Sequence, residues 1–406
     1  MPAAEKRWGE RLGLYGTNAT DPCPIWIHAV SLGESLAVVP LVERLLVHCA
    51  DQRIVFTTTT RTGAAAARRA LGERVRHAFF PYDIPSAINR FRRRFEPRLL
   101  ILVETELWPN LTSEMRARDI PVVLVNARLS PGSMRGYLAF SSLSRSMVGS
   151  LSLILAQSDA DAARFISLGA PQDCVSVSGN LKFDAVVARG ADETMRAARL
   201  RSHLGESRRI IAFGSTRQGE ELLLLPVFFE LLAACPDLLV VLAPRHPQRF
   251  DEVYELLLKN GFNIARHSSG NRPDSSTAVY LVDVVGELPQ FFALAEIAFV
   301  GGSMRPLGGH NVLEPASVGT PVLTGPSTFN FAESCRLLQE AGGLRQVENT
   351  TQLVQQALAW LSDRDSRLRA GRRALAVVKR HEGATERTMK KLLERCPELH
   401  ASADSN

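Results

Sequence analysis

The feature that most constrains this chain is an alternation of short runs rich in Ile, Val and Leu with longer segments of helical periodicity. A short apolar run bounded by turn residues is typical of a strand buried on both faces, and such strands pair in parallel with helices between them. The sequence therefore predicts an α/β protein built on parallel sheets. The predicted strands are 25–30, 53–58, 75–80, 99–104, 122–126, 153–157 and 175–178 in the first half, and 210–214, 238–244, 278–282, 297–300 and 321–323 in the second.

Two domains are expected from the length and from one break in this pattern. A chain of 406 residues, 45% of them hydrophobic, is long enough for two domains of ordinary size. Between the two sets of strands the pattern lapses and glycines and polar residues cluster, so we place a boundary near residues 180–195. We expect two Rossmann-like domains, residues 1–185 and 186–406, that face each other across a cleft. Residues 352–398 have a helical pattern and are expected to pack back toward the first domain.

Positive charge is concentrated in one part of the chain. The formal net charge is +6, and residues 61–98 contain ten arginines but three acids, which suggests an anionic partner. Phe91 and Phe95 are interleaved with arginines in RFRRRFEPR, but their i, i+4 spacing is typical of a helix that packs on its own sheet. No nucleic-acid-binding module surrounds them, so we do not expect a nucleic-acid partner. A phosphorylated lipid surface and a solvated helix face both fit this pattern.

Cysteine usage and hydropathy exclude several other classes. The six cysteines lack the paired spacing of a zinc site or a disulfide framework, so we expect free, mostly buried thiols. The opening residues MPAAEKRWGERLG contain no apolar segment of signal-peptide length, and no later stretch has about eighteen uninterrupted apolar residues. The sequence predicts a chain that does not span a membrane by itself.

Three acids follow predicted strands in the first half. Glu34 lies in the turn of HAVSLGES (28–35), and Glu104 and Glu106 lie in VETELWPN (103–110). In open α/β sheets, ligands bind just beyond the carboxyl ends of the strands. A strand end also carries acids for no catalytic reason, but two of them beside the turn of Glu34 favour a site for chemistry.

In the second half, two motifs follow predicted strands. In GSTRQGEE (214–221), Gly214, Ser215 and Thr216 are expected to open a helix, where free backbone N–H groups and hydroxyls bind a phosphate or where Ser and Thr act simply as caps. In APRHPQRF (243–250), Arg245 and His246 are placed at a strand end. Arg245 is suited to a bidentate contact with phosphate or to a surface ion pair.

A glycine-rich segment, FVGGSMRPLGGHNVLEPASVGTPVLTGP (299–326), follows a further predicted strand. Its glycines let the backbone approach a ligand closely; they are Gly301, Gly302, Gly308 and Gly309. Asn311 is predicted to cap a helix whose first turn carries Glu314, which suits either two ribose hydroxyls or a capping box. His310 is either a ligand contact or a structural histidine.

Six blocks in this order resemble the bacterial Kdo transferases, which attach 3-deoxy-D-manno-octulosonic acid (Kdo) to the lipid A precursor. The resemblance extends from Lys6 to the final helices, and its blocks are HAVSLGES, VETELWPN, GNLKFD, FGSTRQGEE, LAPRHPQRF and the glycine-rich segment. It implies a GT-B glycosyltransferase with an N-terminal lobe for the lipid acceptor, lipid IVA, and a C-terminal lobe for the nucleotide sugar CMP-Kdo. The alternative is a GT-B enzyme that uses a UDP-sugar, such as a lipid-linked N-acetylglucosamine transferase or an epimerase.

The resemblance also implies roles for individual residues. Family members invert at the anomeric carbon, and Glu34 matches the general base; a second important glutamate matches either Glu104 or Glu106. Lys182 is a further candidate to meet the charge of the departing nucleotide. The residues assigned to substrate binding are Ser31, Gly33, Lys182, Gly214, Ser215, Thr216, Arg245, His246, Gly308, Gly309, His310, Asn311 and Glu314.

The remaining expectations concern partners and location. Arg61, Arg92, Arg93 and Arg94 are assigned to the acceptor's phosphates and to the membrane surface. No metal is expected, because the donor has no diphosphate to bridge and the sequence has no Asp-x-Asp pair at a strand end; no cofactor is expected either. Many relatives begin with a hydrophobic anchor ahead of the first block, whereas MPAAE stands there in this chain. Either such an anchor was removed or the protein attaches peripherally; for this chain we expect a peripheral location on the cytoplasmic face of the bacterial inner membrane.

Overall fold

The computed structural model describes residues 5–15, 20–205 and 207–400, which form two parallel β-sheets. The strands of the first sheet are β1 (Ile25–His28), β2 (Ile54–Thr58), β3 (Arg76–Phe79), β4 (Leu99–Val103), β5 (Val122–Ala127), β6 (Leu153–Ala156) and β7 (Val175–Val177). Their spatial order is β3-β2-β1-β4-β5-β6-β7. In the central pair, His28 of β1 aligns with Leu102 of β4, so these two strands end side by side.

The second sheet repeats this arrangement. Its strands are β8 (Arg209–Thr216), β9 (Leu238–Pro244), β10 (Ile264–Arg266), β11 (Val279–Leu281), β12 (Ile297–Val300), β13 (Val322–Thr324) and β14 (Leu344–Gln346), in the order β10-β11-β9-β8-β12-β13-β14. Every predicted strand is confirmed, with ends that differ by up to about two residues. The prediction missed β10 and β14, which are three-residue strands at the two ends of the sheet and are mostly half-buried.

Helices follow most of the strands and begin at the carboxyl edge of each sheet. Those of the first half are α1 (Leu32–His48), α2 (Arg61–Leu71), α3 (Pro85–Phe95), α4 (Pro109–Arg116), α5 (Pro131–Ala139), α6 (Ser141–Val148), α7 (Asp159–Ser167) and α8 (Leu181–Leu204). Those of the second half are α9 (Glu220–Ala234), α10 (Phe250–Lys259), α11 (Leu288–Leu294), α12 (Leu313–Ser317), α13 (Ala332–Glu340), α14 (Thr350–Ser362), α15 (Arg364–Arg380) and α16 (Ala384–Arg395). None of the helices in the described part of the chain is long and apolar enough to cross a lipid bilayer.

The chain divides into two compact units, and the division differs from the predicted domains at the C-terminus. One unit contains Met1–Ala185 and His381–Asn406, and the other contains Val186–Arg380. The boundary after residue 185 lies inside α8, whereas residues 381–406, which we placed in the second domain, belong to the first unit. The reason is that α16 packs on α1 and buries Met389 and Leu392 in the core of the first unit.

Each unit has its own core, built on alternating side chains of its strands. In β1, Ile25 and Ile27 point into one apolar cluster and Trp26 points into the cluster on the opposite face of the sheet. In the second unit, Phe213 and Trp360 belong to one large cluster. All six cysteines are free, and five of them are buried, as the sequence predicted. With both faces of each sheet covered, the loops at the carboxyl edges carry the polar side chains.

Candidate active site

Glu34 lies in the first turn of α1, where both of its carboxylate oxygens accept hydrogen bonds. The helix is capped by Ser31, whose Oγ accepts the Glu34 N–H at 3.3 Å and donates to Glu34 Oε1 at 2.6 Å. The Val30 N–H donates to Oε2 at 2.8 Å. The side chain is 9% exposed. A carboxylate is stabilised at a helix N-terminus by the helix dipole, so this turn holds a buried negative charge in one orientation.

The structure brings Glu104 and Glu106 together with Glu34. Glu104 follows β4 directly with a φ of +67°, an unusual conformation for a residue with a side chain. Its Oε1 forms an ion pair with Lys182 Nζ at 2.6 Å. Two residues later, Glu106 Oε2 accepts a hydrogen bond from Trp108 Nε1–H at 3.1 Å. The prediction that these acids share the edge of the sheet with Glu34 is therefore confirmed.

Burial, and after it the charge of a neighbouring carboxyl group, raises the pKa of Glu34 and of Glu106. Burial raises the pKa of Glu34 and the charge of Glu104 raises it further, while hydrogen bonds from Ser31 and Val30 and the ammonium of Lys182 act in the opposite direction. Burial raises the pKa of Glu106 to about 7, with the charge of Glu34 as the next cause. The site thus holds one ion-paired carboxylate beside two carboxyl groups whose affinity for protons is increased.

Three further residues assigned to the substrate lie in this unit. The Ser31 hydroxyl is engaged with Glu34, and Gly33 lies in the same helical turn. Lys182 pairs with Glu104 in the first unit, and its assignment to the departing nucleotide stays a prediction. Lys182 is the second residue of α8, and its side chain reaches Glu104 just after the end of β4.

The prediction gave no role to Tyr137 of α5, which lies beside this site. Its hydroxyl donates to the Thr105 carbonyl at 3.5 Å, and burial followed by the charge of Glu106 raises its pKa. No motif in the sequence marked this tyrosine, because it comes from an amphipathic segment more than 30 residues after Glu104. Trp108 lies inside VETELWPN, where an aromatic residue two positions after an acid was the available signal.

In the second unit, the segment from Gly214 to Thr216 does not open a helix. These residues are the end of β8, with Ser215 at a φ of +59° where the register with β9 shifts, and α9 begins at Glu220. The predicted helix start is therefore wrong, and phosphate binding by these three residues stays a prediction. A Cβ on Gly214 would collide with the Phe292 ring, and the Thr216 hydroxyl donates to Glu221 Oε1 at 2.8 Å.

Two arginines and two histidines from three loops of the second unit lie close together. Burial lowers the pKa of His310 to about 3, and the next causes are the positive charges of Arg245 and Arg217. The pKa of His246 is lowered by burial and by the same two arginines. Arg217, Arg245, His246 and His310 therefore form a cation cluster, of which the sequence predicted all but Arg217. The cluster suits an anionic ligand.

The glycine-rich loop supports one side of this cluster. Gly302, Gly308 and Gly309 have φ values of +69°, +86° and +72°, which glycine adopts without strain. The Gly309 N–H donates to the Gly302 carbonyl at 2.8 Å, and a Cβ on Gly302 would lie 2.7 Å from the His310 ring. The loop therefore packs His310 against its own backbone, which is the close approach that the glycines were predicted to allow.

The predicted cap at Asn311 needs correction. The residue before α12 is Val312, and Asn311 lies one position earlier with its Oδ1 accepting the Leu313 N–H at 3.1 Å. Asn311 Nδ2–H donates to Glu314 Oε1 at 3.3 Å, so a side-chain amide takes the place of the backbone N–H of a capping box. Glu314 keeps a place in the first turn of α12, and its contact with a ribose stays a prediction.

The arginines assigned to the acceptor do not form one surface. Arg61 begins α2 at the carboxyl edge of the first sheet, whereas Arg92–Arg94 lie in the last turn of α3. Arg94 pairs with Asp21, as does Arg76 at the start of β3, which marks the opposite edge of the sheet. A helix that follows a parallel strand starts at one edge and ends at the other, so a cluster in the sequence is divided in space. The grouping needs correction.

Comparison of the chain with known proteins identifies its family. A family model described as 3-deoxy-D-manno-octulosonic-acid transferase (kdotransferase) matches residues 6–185. The 3-deoxy-D-manno-octulosonic acid transferase of Haemophilus influenzae is 40% identical over 392 residues, which cover 96% of this chain and 91% of that protein. The enzyme of the same name from Bordetella pertussis is 38% identical over 390 residues, with 93% and 89% covered.

Solved structures agree on the fold. A UDP-N-acetylglucosamine 2-epimerase has a TM-score of 0.64 with this chain, covers 95% of it with 100% of its own length, and is 16% identical. At that identity the likeness shows a shared fold, and it confirms the predicted GT-B class of two Rossmann-like units. The similarity to the transferases, in contrast, extends over nearly the whole chain. The chain belongs to the Kdo transferases, a family of glycosyltransferases.

Proposed function

We propose that this protein transfers Kdo from CMP-Kdo to the lipid A precursor lipid IVA, with inversion and with Glu34 as the general base. The observation that carries the proposal is the buried Glu34 carboxylate, held by Ser31 and Val30 at the carboxyl edge of the first sheet with a raised pKa. A carboxylate with a raised pKa is a stronger base, and it accepts a proton readily as a bond forms.

The reaction is a single displacement. A hydroxyl oxygen of the acceptor forms a bond to the anomeric carbon of Kdo, and the bond from that carbon to the phosphate oxygen breaks, so that CMP leaves with the electron pair. The hydroxyl proton passes to Glu34. Because one nucleophile replaces one leaving group from the opposite face, the configuration at the anomeric carbon inverts. Glu104, paired with Lys182, is placed to adjust the charge at Glu34.

The donor is proposed to bind to the second unit through the cation cluster. Arg217 and Arg245 supply positive charge for the phosphate of CMP, and His310 is neutral at physiological pH because its pKa is about 3. Fixed positive charge stabilises a phosphate as it departs. A nucleoside monophosphate has no diphosphate for a metal to bridge, so we propose a reaction that uses neither a metal nor a cofactor.

A lipid acceptor and attachment to the inner leaflet are supported by a patch of exposed apolar and aromatic side chains in the first unit. Trp8, Leu12, Leu14 and Tyr82 are 61%, 44%, 55% and 40% exposed. The Arg11 guanidinium lies over the rings of Trp8 and Tyr82 at 5.7 and 5.9 Å. Trp and Tyr favour the membrane interface, and Arg favours lipid phosphates. We propose that this patch, with Arg61 at the same edge of the sheet, faces the membrane.

The proposal is tested by incubating the protein with CMP-Kdo and tetra-acylated lipid A precursor and by measuring the mass of the product by mass spectrometry. Glu34→Gln should reduce turnover by about 10²- to 10⁴-fold, the usual contribution of a general base, without changing the affinity for CMP. Glu43→Gln, an exposed acid on the same helix, is the matched control and should keep full activity. Equal activity of the two variants would reject Glu34 as the base.

A further inference from the structure

Glu220, the first residue of α9, is a fully buried carboxylate to which the sequence analysis gave no role. Its side chain is 0% exposed. Oε2 accepts hydrogen bonds from the N–H groups of Arg217 at 2.9 Å and Gly302 at 2.6 Å. Oε1 accepts from the N–H groups of Ser303 at 2.9 Å and Met304 at 2.8 Å. Four backbone donors from two distant segments thus converge on one side chain.

This arrangement places the protein's own anion in a position suited to a ligand. Consecutive backbone N–H groups that point into one concavity form an anion-binding nest, as in many phosphate sites. Here the N–H groups of residues 302–304 point to Glu220 instead. A buried carboxylate is unstable unless it is well hydrogen-bonded, and four donors at a helix N-terminus satisfy it. The loop is therefore tied to α9 by its own backbone.

The contacts of this loop extend to the cation cluster. Gly302, whose N–H is bound by Glu220, packs against the His310 ring and accepts the Gly309 N–H. Arg217, the other cluster residue tied to Glu220, donates its backbone N–H to the same oxygen as Gly302. Glu220 thus holds the backbone at or beside two of the four residues of the cluster, Arg217 and His310, without facing solvent itself.

We propose that Glu220 is a positioning residue for the donor: it holds the glycine-rich loop and Arg217 in place, so that the cation cluster is assembled before a nucleotide phosphate binds. The N–H groups of residues 302–304 are occupied by Glu220 and do not contact the donor. This inference rests on the proposed function, because it assumes that the donor binds to the second unit, and it extends that function to a residue outside the binding surface.

The test is the affinity for CMP of Glu220→Gln, measured by isothermal titration. The substitution keeps the shape but replaces one oxygen with an NH₂ group, which faces N–H groups and cannot accept from them. We expect CMP to bind about tenfold more weakly, a change of about 1.4 kcal/mol. The KM for CMP-Kdo should rise by a similar factor with kcat changed less, and the amide hydrogens of residues 302–304 should exchange about 100-fold faster.

Asp184→Asn is the matched control for the loss of a buried carboxylate. Asp184 is 9% exposed and accepts the N–H groups of Gly383 and Thr385 at 2.7 and 2.5 Å within the first unit. Its variant should lose thermal stability and keep the CMP affinity of the unmodified protein.

Two outcomes separate this inference from the proposed function. If Glu220→Gln folds and binds CMP as tightly as the unmodified protein, the inference is overturned and the proposed function stands. If the unmodified protein does not bind CMP, the donor site itself is refuted, and the inference with it. Should Glu220→Gln not fold, Glu220→Asp replaces it, since it keeps the charge but is too short to reach all four N–H groups. Unchanged affinity in that variant overturns the inference equally.

Discussion

At the scale of single residues, the three acids of the first unit differ in what surrounds their charge. Glu104 has a cation at 2.6 Å, Glu34 has two hydrogen-bond donors, and Glu106 has one indole N–H. That these acids lie together was predictable, because each follows a strand of the same parallel sheet. Lys182 was not predictable as their partner, because it reaches them from the start of a helix 78 positions after Glu104 in the sequence.

These surroundings predict how the pH profile of transfer responds to substitution. As the proposed base, Glu34 has to be ionised, so we expect kcat/KM to fall on the acidic side as Glu34 takes up a proton. The charge of Glu104 raises the pKa of Glu34, so Glu104→Gln should move this limb to lower pH. Lys182 lowers the same pKa, so Lys182→Met should move the limb to higher pH. Each shift should be on the order of one pH unit, as is usual for a neighbouring charge.

The two variants act as controls for each other. General damage to the site would shift the acidic limb of both variants in the same direction or would shift it in neither, whereas the proposed electrostatic effect shifts it in opposite directions. Measurement of kcat/KM between pH 4 and 9, roughly the range around the pKa of a buried carboxyl, is sufficient. If the acidic limb of kcat/KM stays at the same pH in both variants, a group other than Glu34 controls the pH profile.

At the scale of secondary-structure elements, the ends of helices decide where the site lies. Ser31 caps α1 and binds Glu34, and Ser158 caps α7 and binds Asp161 in the same way: each hydroxyl donates to its acid at 2.6 Å. The two caps are geometrically alike, yet they serve different purposes. The first orients a candidate base, and the second holds an acid that also accepts the Leu129 N–H.

This pair of caps gives a prediction with a built-in control. Ser31→Ala and Ser158→Ala should each cost about 1 kcal/mol of stability, the usual loss for removing an N-cap hydroxyl. Ser31→Ala should also reduce transfer and move its acidic limb to higher pH, because the Ser31 hydrogen bond lowers the pKa of Glu34. Urea unfolding and kcat/KM check the two effects. Equal activity of the variants would mean that Ser31 has no role beyond its cap.

Strands that are fully buried were predictable from the sequence, and the two strands that were missed are mostly half-buried. Uninterrupted apolar runs such as 238–244 identify strands because both faces of the sheet are covered. In contrast, β14 has the sequence LRQ and is mostly half-buried at the end of its sheet, so hydropathy gives it no signal. The end of β8 was mistaken for a helix start because Ser and Thr suit both. The helix starts instead at Glu220, and three of the four N–H groups that bind its carboxylate lie in a loop more than 80 residues away.

At the scale of the whole molecule, position in the sequence is a poor guide to position in space. The arginines of residues 61–98 lie at both edges of the first sheet, since α3 begins at one edge and ends at the other. The C-terminal residues 381–406 belong to the unit formed by the first 185 residues. The Gln52 side chain donates to the Glu398 carbonyl at 3.1 Å, and the Cys49 thiol contacts the Leu399 carbonyl. Such contacts join the C-terminal segment to the first unit.

This shared core predicts which unit a C-terminal substitution destabilises. Leu392 is 0% exposed in the core that also contains Ile25 and Leu41, so Leu392→Ala should cost about 2–5 kcal/mol, as other buried leucines do. We expect calorimetry to show that the unfolding transition of the first unit moves to lower temperature while that of the second unit stays in place. Leu368→Ala, at a leucine 43% exposed on α15, is the control and should change neither. CMP identifies the transition of the second unit, because a ligand that binds the folded state raises the temperature of that transition. A shift of the CMP-sensitive transition by Leu392→Ala would contradict the placement of the C-terminal helix in the first unit.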